Sequence, residues 1–364
     1  MFIISWIGKL WRRMEANTWK VLAWALALNI MFGVAFYYAE RGVQEGLTLI
    51  DSLWWSMVTM TTVGYGDFYA QTPIGRFLIS YPCMILGIGI IGYLVGVVAN
   101  TMLDWAARKR KGEMETTYSD HIILCNYPGV EKVMTVIRQL KASTDDKVQF
   151  VLITEILDEL PEVIRKEKVQ FVKGYPTDEA ALMQAKILDC DGVIILAEDP
   201  HEQRSDDRTI ATASMIEMIE QEKKQQIKVI CELVGNRSIR NIERATVNGY
   251  VSNEDLTGCL LAQEYSNPGV NQVIGQIVSF EMGSELYIHE TRMTGHPIVE
   301  LQKAVLEHDA NIQIIGLMRD GQQMLNPDKH IKIGEGDKLI VLAECLQDLT
   351  GIEQDILNKT GQTV

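Results

Sequence analysis

Two stretches of the 364-residue chain are apolar over the depth of a membrane. Residues 21–38 are continuously apolar apart from Asn29, and residues 77–103 carry no charge before Asp104. Each approaches or exceeds the ~20 residues with which a helix crosses the hydrocarbon. Between them, residues 47–62 form a shorter and more polar stretch. The pattern predicts helix, re-entrant loop, helix, because irregular backbone at membrane depth is tolerated only against protein or a water-filled path. After residue 106 the period changes. Short apolar runs at 121–125, 149–153, 169–172, 192–197 and 228–233 read as strands, separated by helical patterns, the first over about 131–140. Apolar strands alternating with helices predict a parallel sheet covered on both faces. Its ligand site is expected outside the carboxyl ends of the strands, near the point where strand order reverses.

Charge orients the spans. Lys9, Arg12, Arg13 and Lys20 precede the first, Arg108, Lys109, Arg110 and Lys111 follow the second, and only Arg41 and Arg76 lie between. Short basic flanks stay on the cytoplasmic side, so a multi-pass protein of the cell membrane with both termini in the cytoplasm is expected. Residues 1–17 mix Trp, Phe and Ile with basic residues and predict a helix lying in the lipid interface rather than a cleaved leader. The formal net charge of −14 falls mostly after the spans and argues against nucleic acid as a partner. The six cysteines form no CxxC pair and are expected as buried, reduced thiols. Neither span carries Arg or Lys at every third position, so the usual voltage sensor is missing. No nucleophile elbow, Walker loop or HExxH is present, and no enzyme is expected.

The re-entrant segment has its own chemistry. Thr48-Leu49-Ile50-Asp51 reads as a capping box that starts a short helix running to about Met60. Its negative end would face a central cavity where a cation is held. Thr61-Thr62-Val63-Gly64-Tyr65-Gly66-Asp67 follows. Successive carbonyls can point at one axis only if alternate residues take opposite-handed dihedrals, which Gly64 and Gly66 allow. WWSMVTMTTVGYGD resembles the pore signature of potassium channels over its whole length. The resemblance implies that the carbonyls of Thr62, Val63, Gly64 and Tyr65, with the Thr62 hydroxyl, replace water around a bare potassium ion. It also implies that one chain supplies a quarter of each ring, so a homotetramer is expected. The resemblance implies an ion selectivity filter of Thr62, Val63, Gly64, Tyr65, Gly66 and Asp67, supported by Trp54 and Trp55, with Trp55 placed to donate to Asp67. Val58 stands where some members carry a Glu that pairs with the filter Asp.

The second span reads PCMILGIGIIGYLVGVVANTML, with Gly87, Gly89, Gly92 and Gly96 close together. Such glycines either let a helix bend or let helices approach. LGIG is similar to the inner helix of the calcium-gated archaeal potassium channel, which implies a gating hinge at Gly87. An acidic ring that a relative carries near the pore mouth falls at Gly96 and is missing here.

The remainder resembles the RCK domain (regulator of potassium conductance) of two-span prokaryotic potassium channels. Phe171-Val172-Lys173-Gly174-Tyr175-Pro176-Thr177 is similar to a family motif, and Ala310-Asn311-Ile312, Ile315 to Arg319 and Gly336 to Val341 resemble the C-terminal lobe. The implied fold class is multi-domain: an α-helical two-span pore, an α/β Rossmann-like RCK domain and a small α+β C-terminal lobe. The expected divisions are 1–17 interfacial helix, 18–106 pore, 107–117 linker, 118–255 Rossmann-like domain, 256–282 crossover helices and 283–364 C-terminal lobe.

Two gating ligands are open. Cys125-Asn126-Tyr127-Pro128-Gly129-Val130 keeps one glycine of the dinucleotide turn, while Glu155 stands where a ribose-binding acid is expected. An adenine nucleotide would use Asn126, Tyr127, Gly129, Glu155, Gly174 and Tyr175. Calcium needs several oxygens. The resemblance offers Glu198, Asp199, Asp206, Asp207 and Glu232, with Val234 replacing one further family ligand. The function implied is a ligand-gated potassium-selective channel whose RCK gating ring, of up to eight domains, couples Ca²⁺ or nucleotide binding to bending of the second span. Met114, in the linker, could start the separately made domains of such a ring. The alternative is a non-conducting potassium sensor or uptake-system subunit.

Overall fold

The computed structural model describes residues 16–144, 147–252, 254–281, 283–308, 311–344 and 346–360. The interfacial helix expected over 1–17 therefore lies almost wholly outside the described residues. The chain divides into two compact units, Met1–Arg108 and Lys109–Val364.

In the first unit, α1 (Ala16–Glu40) and a second helix starting at Gly75 are long and apolar enough to cross a membrane. Between them α2 (Leu49–Met60) is the short re-entrant helix. Its capping box forms as expected: the Asp51 amide donates to Thr48 Oγ1 at 3.2 Å and the Thr48 amide to Asp51 Oδ2 at 3.0 Å. Trp55 buries one face of α2 by stacking on Phe36 of α1, ring centroids 3.7 Å apart. The second span opens with a π-helical turn over Gly75–Ser80, whose wider ring suits the Ser80 hydroxyl bonded to the Gly75 carbonyl five residues back. It continues as α3 (Tyr81–Arg110), well past its last apolar stretch.

In the second unit six strands are parallel in the order β3-β2-β1-β4-β5-β6. They are β1 (His121–Cys125), β2 (Phe150–Thr154), β3 (Gln170–Lys173), β4 (Cys190–Ile195), β5 (Val229–Leu233) and β6 (Gly249–Ser252). Every residue of β1 and β2 is buried, and successive residues feed opposite layers. Ile123, Val151 and Ile153 join one cluster, Ile122, Leu124 and Leu152 the other. That explains why these strands read as unbroken apolar runs. The strand expected over 192–197 begins and ends two residues earlier, and β6 was not expected: it is an edge strand with a half-exposed Gly-Tyr-Val-Ser sequence. The helices are α4 (Val130–Ser143), α5 (Glu162–Lys166), α6 (Glu179–Gln184), α7 (Ser205–Lys223), α8 (Ile239–Ile242), α9 (Glu254–Ser266) and α10 (Val270–Ile277).

The C-terminal lobe is an antiparallel sheet in the order β7-β10-β8-β9. Its strands are β7 (Glu285–Glu290), β8 (Ile312–Arg319), β9 (Gln322–Leu325) and β10 (Lys338–Ala343), packed with α11 (Ile298–Glu307) and α12 (Gln347–Thr360) around Leu301, Val305, Leu317 and Val341.

Candidate functional site: a filter loop and a switch-point crevice

The loop after α2 alternates in handedness. Thr62, Gly64 and Gly66 have φ of 63°, 57° and 77°. The glycines are those expected; Thr62 is not. Left-handed backbone costs a non-glycine residue energy and marks over-determined, functional positions. The amides of Val63 and Gly64 both donate to the Val58 carbonyl, at 3.0 and 3.3 Å, which ties the loop to the end of α2.

The tryptophan pair is corrected. Trp54, not Trp55, donates its indole N–H to Asp67 Oδ2, at 2.9 Å, and its ring stacks on Tyr65 with centroids 5.8 Å apart. Trp55 faces the other way, into the α1 seam with Phe36. Consecutive helical residues point about 100° apart, so one of the pair had to face the loop and the other the span.

A further support was not foreseen. Glu40, the last residue of α1, is fully buried. Its carboxylate accepts the Gln71 amide at 3.0 Å and the Thr72 amide and hydroxyl at 3.1 and 2.8 Å. It thereby holds the turn between the filter loop and the second span. A Glu followed by Arg and Gly at the end of a span carries no local signal of this, because its partners lie 31 and 32 residues away.

Gly87 is buried against α2: a Cβ there would lie 2.6 Å from Met60 Cα and 2.7 Å from its carbonyl oxygen. At Gly89, Gly92 and Gly96 a Cβ would meet nothing within 4 Å among the described residues. Of the two meanings open for these glycines, close approach is visible at Gly87.

In the second unit strand order reverses between β1 and β4. Asn126 is buried at φ 72° and donates its amide to the Leu196 carbonyl at 2.8 Å, lacing the β1 and β4 loops together. Of the expected nucleotide set, Asn126 thus already has its side-chain amide engaged by the fold. Tyr127 packs partly buried on the Leu124 and Val133 layer, and that burial pushes its phenol upward in pKa. Gly129, at φ 133°, precedes α4, whose first turn has no side-chain cap. Glu155 leaves the end of β2, and Gly174 and Tyr175 follow β3, with the Gly174 amide on the Thr154 carbonyl at 3.2 Å and Tyr175 exposed. Arg208 of α7 reaches across to Glu155 at 3.5 Å and pairs with Glu198. Burial raises the Cys125 thiol strongly and leaves it unreactive at neutral pH. Cys83, Cys125 and Cys231 are buried as expected, whereas Cys259 is exposed.

The five acids proposed for calcium do not converge. Among the described residues no group of three or more His, Cys, Asp or Glu could hold a metal ion. Glu198 pairs with Arg208. The Asp199 carboxylate accepts the His201 amide at 2.8 Å. Fully buried Asp206 accepts the Val234 and Gly235 amides at 2.7 and 3.2 Å and the Ser238 hydroxyl at 2.6 Å, closing the loop after β5. Glu232 accepts Lys132 at 2.7 Å and the Ala197 amide at 3.2 Å. Asp207 is exposed on α7. Most of this set is thus held by cationic side chains, a hydroxyl or backbone amides.

Residues 24–104 match a family model described as an ion channel. Residues 117–231 match one for the RCK domain of calcium-activated, slowpoke-like potassium channels. YugO of Bacillus subtilis, provisionally named a potassium channel protein, is 25% identical over 87% of this chain and 93% of its own. The calcium-gated potassium channel TvoK of Thermoplasma volcanium is 23% identical over 92% of this chain and 94% of its own. Among solved structures, the GsuK channel aligns with 94% of this chain and 64% of its own length, at 16% identity and a TM-score of 0.47. The ion-channel and RCK matches lie in succession on one chain with two helices long and apolar enough to cross a membrane and a Rossmann-type sheet, the organisation of an RCK-gated, two-span potassium channel.

Proposed function

We propose that four copies of this chain form a potassium pathway and that an adenine nucleotide at the β1–β4 switch point sets its opening. The filter is Thr62 to Asp67, and its carrying observation is the alternation of left-handed φ at residues 62, 64 and 66. That alternation turns consecutive carbonyls to one side, the arrangement a dehydrated ion needs. Trp54 and Glu40 hold the loop from two sides. The basic flanks at Lys20 and Arg108 to Lys111 orient the spans with both termini in the cytoplasm.

The uncapped start of α4 at Gly129 suits a phosphate group, through free amides and the helix dipole. Glu155 suits ribose hydroxyls once Arg208 lets go of it. Gly174 leaves the β3 turn open beside it, and Tyr175 offers an exposed ring. Nucleotide is preferred to calcium because Glu198, Asp199, Asp206 and Glu232 each already accept a hydrogen bond or ion pair within the chain and do not converge.

Apolar surface exposed among the described residues supports assembly. Leu261, Tyr265, Val273 and Val278 are 69%, 91%, 54% and 69% exposed on and after α9 and α10. Such a surface suits a second copy, and pairing of RCK domains would build a ring. Gly87 serves as the pivot of the second span in this scheme, moving against Met60.

The test is ion flux from liposomes holding the purified chain, with sodium as competitor and calcium, AMP, ADP and NAD added in turn. Potassium flux that excludes sodium and changes with a nucleotide is expected. Equal passage of sodium would overturn the filter; response to calcium alone would overturn the ligand.

A further inference from the structure

Two cations of the chain itself reach the carboxyl edge of the RCK sheet, from the helices that follow β1 and β4. Lys132 stands in the first turn of α4. Its ammonium lies 2.7 Å from Glu232 Oε1, near the end of β5. The strand order there is β1-β4-β5, so the pair passes over the carboxyl end of β4. The other oxygen of the same carboxylate, Oε2, accepts the Ala197 amide at 3.2 Å, just beyond β4. The next residue, Glu198, pairs with Arg208 of α7, which also lies 3.5 Å from Glu155. The start of the β4 loop is thus held between a lysine on one side and an arginine on the other.

Glu232 is 8% exposed. A carboxylate taken out of water is costly unless a positive charge or several donors meet it. Lys132 brings that charge on a side chain already fixed to the same domain, so a free cation competes with an ion that is always close by. Calcium also asks for about six to eight oxygens. Of the other acids offered to it, Asp206 accepts the Val234 and Gly235 amides and the Ser238 hydroxyl, and Asp207 is exposed on α7. A divalent ion held by oxygens of the β4 loop and β5 would tie the two together. The Lys132–Glu232–Ala197 chain of contacts does this without one.

We infer that Lys132 is a built-in counter-ion that excludes calcium from the carboxyl edge of this sheet, its ammonium taking the place at Glu232 that a divalent cation would need. No nucleotide enters this arrangement, which stands whether or not one binds at α4.

Calcium titration of the full-length protein, read by calorimetry and by amide hydrogen exchange at Ala197, tests it. The native chain is expected to give no binding heat and unchanged Ala197 protection up to about 1 mM calcium, roughly a hundredfold above the ~10 μM of weak sensor sites. Lys132→Gln and Lys132→Met take the ammonium from a nearly buried anion and leave it to be neutralised from solution. In both, Ala197 is expected to exchange several-fold faster without calcium. Added calcium, at constant ionic strength, is expected to give binding heat and to restore protection. Lys132→Arg keeps the charge and should match the native chain. The double variant Lys132→Gln with Glu232→Gln keeps an acceptor for the Ala197 amide and should lose the calcium response. Calcium binding by the native chain that Glu232→Gln abolishes would overturn the exclusion. Folded Lys132 variants that ignore calcium, or that protect Ala197 as the native chain does, would overturn the role given to the ammonium.

Discussion

Single side chains separate packing from flexibility in this protein. Gly87→Ala drives a methyl group into the Met60 backbone, whereas Gly92→Ala meets open space. Overpacking of this kind costs about 1–3 kcal/mol. Gly87→Ala should therefore lower the thermal stability of the purified assembly, and Gly92→Ala should leave it near native, as a melt of the detergent-solubilised protein would show. Equal melts would mean that Gly87 bears on bending alone. Trp54 and Trp55 differ in the same way. Trp54→Phe keeps the stack on Tyr65 but loses the bond to Asp67. It should weaken potassium-over-sodium discrimination without unfolding the pore. Trp55→Phe, changed within the α1 seam, should act on stability first. In the RCK sheet Arg208 neutralises Glu155. Arg208→Gln frees that carboxylate, so adenosine affinity should rise several-fold by calorimetry, and a fall would show that Arg208 itself holds the ligand.

At the scale of elements, the filter loop is held by the ends of its neighbours. The loop hangs from the carboxyl end of α2 through Val58 and from the end of α1 through Glu40. Hydrogen bonds to a charged group contribute about 1.5–3 kcal/mol each, so Glu40→Ala removes several at once. Loss of potassium flux with membrane insertion retained is the expected result, and native flux would show that the turn stands without it. In the other unit β1 begins at His121, fully buried, with its Nε2 on the Ala185 carbonyl at 2.8 Å and its Nδ1 without a partner among the described residues. Burial lowers its pKa, so the folded chain keeps the ring neutral. The sign follows. As pH falls below the ordinary value of 6.5, the unfolded chain takes up a proton that the folded chain refuses, and stability drops. Asp120, Asp189 and Lys186 are the charged groups around it. Melting curves between pH 7.5 and 5.5 should show this loss in the native protein and a smaller one in His121→Asn.

For the molecule as a whole, the two units rest on different physics. The first has two helices whose apolar surface faces outward, with few buried residues. Apolar surface of that kind is stable where lipid or other protein covers it. The second buries a two-layered core of its own around β1 and β2. Denaturant should therefore unfold the RCK unit cooperatively, while the assembly of the pore responds to detergent and lipid. Fluorescence from tryptophan reports the pore selectively, since Trp105 is the last tryptophan in the chain.

Much was legible without coordinates. Length of apolar run and the glycine-punctuated TVGYG are local signals, and each maps on a local physical demand: bilayer thickness and carbonyl direction. β1 and β2 were legible for the same reason, because full burial on two faces writes itself as an unbroken apolar run, whereas the half-exposed edge strand β6 left no such signal. What needed the tertiary structure were the partners. Which tryptophan meets Asp67, that Glu40 reaches a turn 31 residues on, and that Asp206 is consumed by the loop after β5 all depend on chain segments far apart in sequence meeting in space. A side chain's type declares what it can bond to; only the fold decides which group arrives.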